Sequence, residues 1–142
     1  MQAALEQARL AALNGEVPVG AVVVCGSDVV AQAHNVPRGT HDPTAHAEML
    51  AIRRAAARIG SERLGGCDLW VTLEPCAMCA GAISHARIRR LYYGASDPKG
   101  GAVEHGARVF THAQTLHRPE VYSGIGAEEA GALLRDFFRS RR

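Results

Sequence analysis

The chain lacks the features that would place it in a membrane, in the secretory route or in a disulfide scaffold. Its longest apolar runs, such as Gly20 to Cys25, fall far short of the ~18 residues that suggest a membrane span. The first residues enter helix-like sequence at once, without the charged start, apolar stretch and small-residue cleavage site of a secretory signal, so the expected location is the cytoplasm. Cysteine is scarce: Cys25, Cys67, Cys76 and Cys79 are the whole set. A chain of 142 residues can bury a core without staples, and closely spaced cysteines in a cytosolic protein mark metal or redox chemistry more often than disulfides. All four are therefore read as thiols. Internal repeats, low-complexity tracts and linkers are also missing, which points to a single domain over 1–142.

Net charge is small too, at +2, so the overall balance does not demand a nucleic-acid partner. The basic residues are nonetheless uneven: fifteen of sixteen are Arg. Several cluster at Arg87, Arg89 and Arg90 and in the tail at Arg135, Arg139, Arg141 and Arg142. Forked guanidinium groups suit phosphate; a solvated face or a compositional bias towards Arg would look the same.

Apolar spacing predicts an opening helix over Ala3–Leu13, stopped by Asn14 and Gly15. Gly20–Cys25 and Val29–Ala33 are β-branched runs around Gly26 and Ser27, the pattern of an antiparallel hairpin with Gly at the first turn position. Residues 35–43 read as a loop ending in Asp42 and Pro43, a cap followed by proline at the first helical position, with a helix running on to Ile59 and stopped by Gly60. Leu69–Leu73 is a buried strand leading through Glu74 and Pro75 into a small, apolar helix over Cys76–Ala86. Arg90–Ala95 is another strand, and strand, helix, strand implies a parallel right-handed crossover, so the sheet is mixed. Residues 96–120 are expected to be largely loop with a short helix. Val121–Ser123 is a candidate last strand, and Ala127–Arg139 an amphipathic helix carrying Leu133, Leu134, Phe137 and Phe138.

The two loop-to-helix junctions share a feature. Shortly after a proline, each presents residues that bind zinc, His46 at the first and Cys76 and Cys79 at the second. Cysteines at i and i+3 on a first helical turn can reach one ion together, and the positive helix end favours their thiolates. Three ligands leave a tetrahedral ion one open position for water, the arrangement of a catalytic site. Zinc lowers the pKa of such a water to about 7, and a carboxylate beside it can relay the proton. Glu48 is placed for that task, because side chains of a first turn splay around the end of the axis. A redox pair would leave His46 and Glu48 without a role. A structural zinc site would need a fourth ligand, for which Cys67 is the nearest candidate, although Cys67 and Cys25 read as core thiols. The other six histidines lack partners at ligand spacing.

The joint pattern His46-Ala47-Glu48 with Pro75-Cys76-Ala77-Met78-Cys79 is the zinc-deaminase signature. Glu16–Val23, Asp42–Glu48, Val71–Gly81, Asp97–Gly101 and the Arg-bearing end from Leu133 extend the similarity along nearly the whole chain, which resembles the bacterial tRNA-specific adenosine deaminases of the cytidine deaminase superfamily. The resemblance implies a three-layer α/β/α cytidine-deaminase-like fold with a mixed five-stranded sheet. It also implies one Zn2+ per chain, a homodimer, and hydrolysis of adenosine to inosine at the wobble position of a tRNA anticodon stem-loop. By position, Asn35 and the Ala47 amide would meet the base and Asp97 a neighbouring ribose; an Asx turn and a cap are the plain alternatives for Asn35 and Asp97. Phe138, Arg139, Arg141 and Arg142 are candidate RNA contacts. Two other readings share these residues: a deaminase of a free base or nucleoside such as guanine or cytidine, and a non-catalytic zinc module that binds nucleic acid.

Overall fold

The computed structural model describes residues 1–141; Arg142, a candidate RNA contact, lies outside the described residues. Its elements are α1 (Gln2–Leu13), β1 (Gly20–Cys25), β2 (Asp28–His34), α2 (Pro37–Thr40), α3 (Ala47–Ile59), β3 (Cys67–Leu73), α4 (Ala77–His85), β4 (Arg90–Ala95), β5 (Glu120–Tyr122) and α5 (Ala127–Arg139), with a 3-10 turn at Val109–Thr111. The strands form one sheet in the order β2-β1-β3-β4-β5. β1 runs antiparallel to β2 and β3, whereas β3, β4 and β5 are parallel. This is the expected mixed α/β sheet. The hairpin turns as read, with Cys25 opposite Asp28 and Gly26 at φ 64, a backbone that glycine adopts without strain.

Alternation along the strands divides the molecule into layers. Ala21, Val23, Leu69, Val71, Leu91 and Tyr93 point to one face, where they share a buried core with Ala47, Ala51 and Ala55 of α3 and Ala80 and Ile83 of α4. α1 and α5 pack on the other face, α1 chiefly against β1 and β2 and α5 against β4. α1 lies unusually close. A Cβ on Gly20 would collide with the Ala4 carbonyl and stand 2.6 Å from the Ala8 nitrogen. Neither obstacle is a flexible side chain, so Gly20→Ala must displace the helix. We expect a loss near the top of the overpacking range, about 3 kcal/mol, read as a fall in Tm of about 10 °C; a Tm within about 2 °C of wild type would show that α1 can slide at little expense.

Three features depart from the sequence reading. α3 begins at Ala47, not at Pro43, because Asp42 Oδ1 accepts the Thr44 amide at 2.8 Å and its hydroxyl at 2.7 Å. Asp42 thus closes a local turn and His46 becomes the N-cap. The segment read wholly as loop contains α2, whose Arg38 and Gly39 amides donate to the buried Glu16 carboxylate at 3.2 and 2.8 Å. Finally, Cys25 and Cys67 are joined in a disulfide, with Cα atoms 4.3 Å apart, so they are not the separate core thiols expected. The pair is made by sheet register, which sets Cys25 directly across from Cys67. It sits at the start of β3, at the opposite end of that strand from Cys76, and removes Cys67 as a fourth metal ligand.

Candidate metal centre and active site

The strand directions bring one edge of the sheet together as a site. The end of β2, the start of β1 and the ends of β3 and β4 all lie on this edge, as the pairings His34 with Gly20 and Leu73 with Ala95 require. Asn35 follows β2, Cys76 follows β3 and Asp97 follows β4. Ligands of open α/β sheets bind outside the carboxyl ends of the parallel strands.

α3 and α4 point their N-termini at this edge. His46 is the N-cap of α3 and Cys76 the N-cap of α4, and neither side chain caps its own helix. Forgoing such a cap costs about 1 kcal/mol, and the side chains turn to one another instead. His46 Nδ1 lies 3.7 Å from Cys76 Sγ and 3.6 Å from Cys79 Sγ, and all three donor atoms fall within 4.8 Å of one another. Zinc bonds of about 2.3 Å to sulfur and about 2.05 Å to nitrogen, at tetrahedral angles, set a nitrogen-to-sulfur edge of about 3.6 Å. The donors therefore fit a tetrahedral zinc ion in both chemistry and spacing.

Charge in the cluster is arranged to match. A hydrogen bond from Cys79 holds the Cys76 thiol down at about 4, against burial and with help from His46. The same bond, together with burial, pushes Cys79 up. His46 is raised by its bond with Cys76. Glu48, in the first turn of α3, is 4% exposed. Burial raises its carboxyl, opposed by a hydrogen bond with Cys79. A buried carboxylate thus touches the ligand cluster without belonging to it.

The remaining expected contacts are near but arranged differently from one another. Asn35 Oδ1 accepts the Ala47 amide at 2.8 Å, so these two residues form one unit beside His46 and leave Asn35 Nδ2 as a donor. Asp97 Oδ1 accepts the Lys99 and Gly100 amides at 3.2 and 3.0 Å, a turn closure that leaves Oδ2 for other partners. A groove of about 910 Å³ runs along the same edge, lined by Leu73, Asp97, Lys99 and, from α5 and the tail, Arg135, Phe138, Arg139 and Arg141. Phe137 is buried while Phe138 is 49% exposed, and the Arg141 guanidinium stacks over the Phe137 ring at 3.7 Å. Arg87, Arg89 and Arg90 lie outside this groove; Arg89 pairs with Asp68 and Arg90 with Glu120. Sequence reasoning missed Glu74, which is fully buried and accepts five hydrogen bonds. Its signal was a charged residue placed directly after an apolar strand, where only a set of donors makes burial tolerable.

Known proteins share this fold. The whole chain, residues 1–142, matches the MafB19-like deaminase family. It is 56% identical over 142 residues to a tRNA-specific adenosine deaminase of Agrobacterium fabrum, covering 100% of this chain and 93% of that one. A solved structure from work on A-to-I editing by tRNA:A34 deaminases at the wobble position superposes with a TM-score of 0.93 at 55% identity, covering 94% of this chain and 97% of that one. A guanine deaminase from Nitrosomonas europaea has the same fold at greater distance, with a TM-score of 0.80 at 25% identity over 94% of this chain and 80% of its own. The chain belongs to the MafB19-like deaminases and, within them, to the tRNA-specific adenosine deaminases.

Proposed function

We propose that the protein hydrolyses adenosine to inosine at the wobble position of a tRNA anticodon, releasing ammonia, with one zinc ion held by His46, Cys76 and Cys79. The observation that carries this reading is the tetrahedral spacing of those three donors beside the buried Glu48 carboxylate. Zinc bound there would supply Lewis acidity and a water acidic enough to react at neutral pH. Glu48 takes a proton from the water that adds to the ring carbon bearing the amino group. It passes that proton to the adjacent ring nitrogen, then takes the proton of the added hydroxyl as the carbonyl forms and delivers it to the departing amine, so adenosine and water yield inosine and ammonia. Asn35 and Ala47 meet the base as a pair, Asn35 donating through Nδ2, and Asp97 meets the ribose of a neighbouring nucleotide.

The groove supports a polynucleotide over a free base. Single-stranded loops are held by cations along the backbone and by rings on which bases stack. Arg139, Arg141 and Lys99 supply the first and the exposed Phe138 face the second. A free base has no use for either. A tRNA substrate supports a cytoplasmic setting for the reaction, and no helix among the described residues is long and apolar enough to cross a membrane. The homodimer implied by the resemblance completes the reading.

The test is a side-by-side incubation of zinc-loaded protein with an anticodon stem-loop carrying adenosine at its wobble position and with free adenosine, guanine and cytidine. Inosine from the stem-loop is the expected product. Turnover of guanine or cytidine, with none of RNA, would transfer the protein to the free-base reading. The same sample should show a solution mass near twice 15.1 kDa, and a monomer at micromolar concentration would contradict the dimer.

A further inference from the structure

We propose that Glu74, clamped by His105, is a positioning residue that holds the wall of the substrate groove in register with the metal-ligating turn. Glu74 lies between the last residue of β3 and Pro75-Cys76, and its side chain is completely buried. Oε1 accepts the Asp97 amide at 3.0 Å and faces His105 Nδ1 at 2.7 Å. Oε2 accepts the amides of Val103, Glu104 and His105 at 3.2, 3.0 and 3.1 Å. The next residue adds a further tie, because the Pro75 carbonyl accepts the Ala102 amide at 2.8 Å. Both ends of the 97–105 segment are thereby fastened to the two residues that precede Cys76.

The segment wraps the carboxylate so closely that no side chain fits at its middle. A Cβ on Gly101 would lie 2.5 Å from Glu74 Cδ and 2.5 Å from the Asp97 carbonyl oxygen. Asp97 and Lys99, which line the groove, sit on this segment. Their distance from Cys76 is therefore set by this carboxyl group together with the backbone ties of Pro75 to Ala102 and of Glu74 to Ala95. Five donors on one group also make the chemistry specific. Gln has the same shape but one oxygen. Placed over the three amides of 103–105, that oxygen leaves an NH2 facing the Asp97 amide, donor against donor. Glu74→Gln should release Asp97 while keeping the other end of the segment.

This inference rests on the proposed role of Asp97 in holding the nucleotide chain, so the experiment has an arm that does not depend on activity. Amide hydrogen exchange is measured on wild type and E74Q. The Asp97 amide should exchange at least about ten-fold faster in the variant, while Val103, Glu104 and His105 stay protected. Steady-state kinetics on the wobble-adenosine stem-loop should show KM raised about 10- to 100-fold, the scale of a small misplacement at a site, with kcat within about three-fold and zinc content unchanged. H105A removes only the clamp, from a side chain that is 38% exposed. It should raise KM in the same direction by about three-fold, and it carries the test should E74Q fail to fold. An unchanged KM in folded E74Q or H105A, or a fall in kcat that follows loss of zinc, would overturn the proposal and leave Glu74 a support of the metal turn alone. If wild type turns over no stem-loop, the substrate reading fails, and the exchange at Asp97 still decides whether Glu74 positions the segment.

Discussion

Glu48→Gln is expected to keep the fold and one zinc per chain while lowering kcat for deamination by about 10²- to 10⁴-fold, the range that a positioned proton-transfer group supplies. Three observations set this expectation. The side chain is 4% exposed, so an isosteric amide leaves no cavity and little reason to unfold. It is not one of the three donors grouped at metal-binding distance, so the amide should not release the ion. And it stands in the first turn of α3, where burial raises its carboxyl and a hydrogen bond with Cys79 opposes that rise, a setting suited to carrying a proton. Kinetics and metal analysis on the same preparation check it. Retained activity would require another proton carrier, and loss of zinc would make Glu48 a ligand.

Cys79→Ser should remove both metal and activity. Cys79 is fully buried at the third position of α4, and a hydroxyl cannot replace a thiolate as a zinc donor of comparable strength. Loss of an outer partner alone typically weakens a metal site by about 10- to 100-fold, and loss of a direct ligand should exceed that, so dialysed protein should retain well under half an ion per chain. Cys67→Ser is the control. Cys67 is tied to Cys25 at the other end of β3, and its substitution should leave the zinc content at one. Equal loss from both variants would mean that zinc content follows global stability and not the three-donor site.

Much of this architecture was legible because its signals are local. β1, β4 and α5 run over Gly20–Cys25, Arg90–Ala95 and Ala127–Arg139, the spans that β-branched runs and helical apolar spacing predict. The hairpin followed from Gly26, since Gly at the first central position is one of the few turn chemistries that close two strands over two residues. The metal donors were legible for a related reason: an imidazole and two thiols spaced i and i+3, each at a helix start after a proline, form the donor set that zinc prefers. What escaped is non-local. The start of α3 depends on which of two capping residues wins, and Asp42 is drawn into a turn with Thr44, leaving the cap to His46. The Cys25–Cys67 pair, 42 residues apart, exists only once β1 and β3 are in register. Glu74 finds its five donors 23 to 31 residues further along the chain, in the stretch with the weakest periodicity. Loops held by long-range bonds to one buried group have no pattern of their own to read.

The most direct test of the account is nucleoside analysis of an anticodon stem-loop after incubation with zinc-loaded protein, comparing adenosine at the wobble position with adenosine one position away. The account predicts inosine from the first RNA alone, lost with zinc removal and in Glu48→Gln. Inosine from neither RNA in a zinc-replete sample that deaminates free guanine, or inosine that survives in Glu48→Gln, would contradict it.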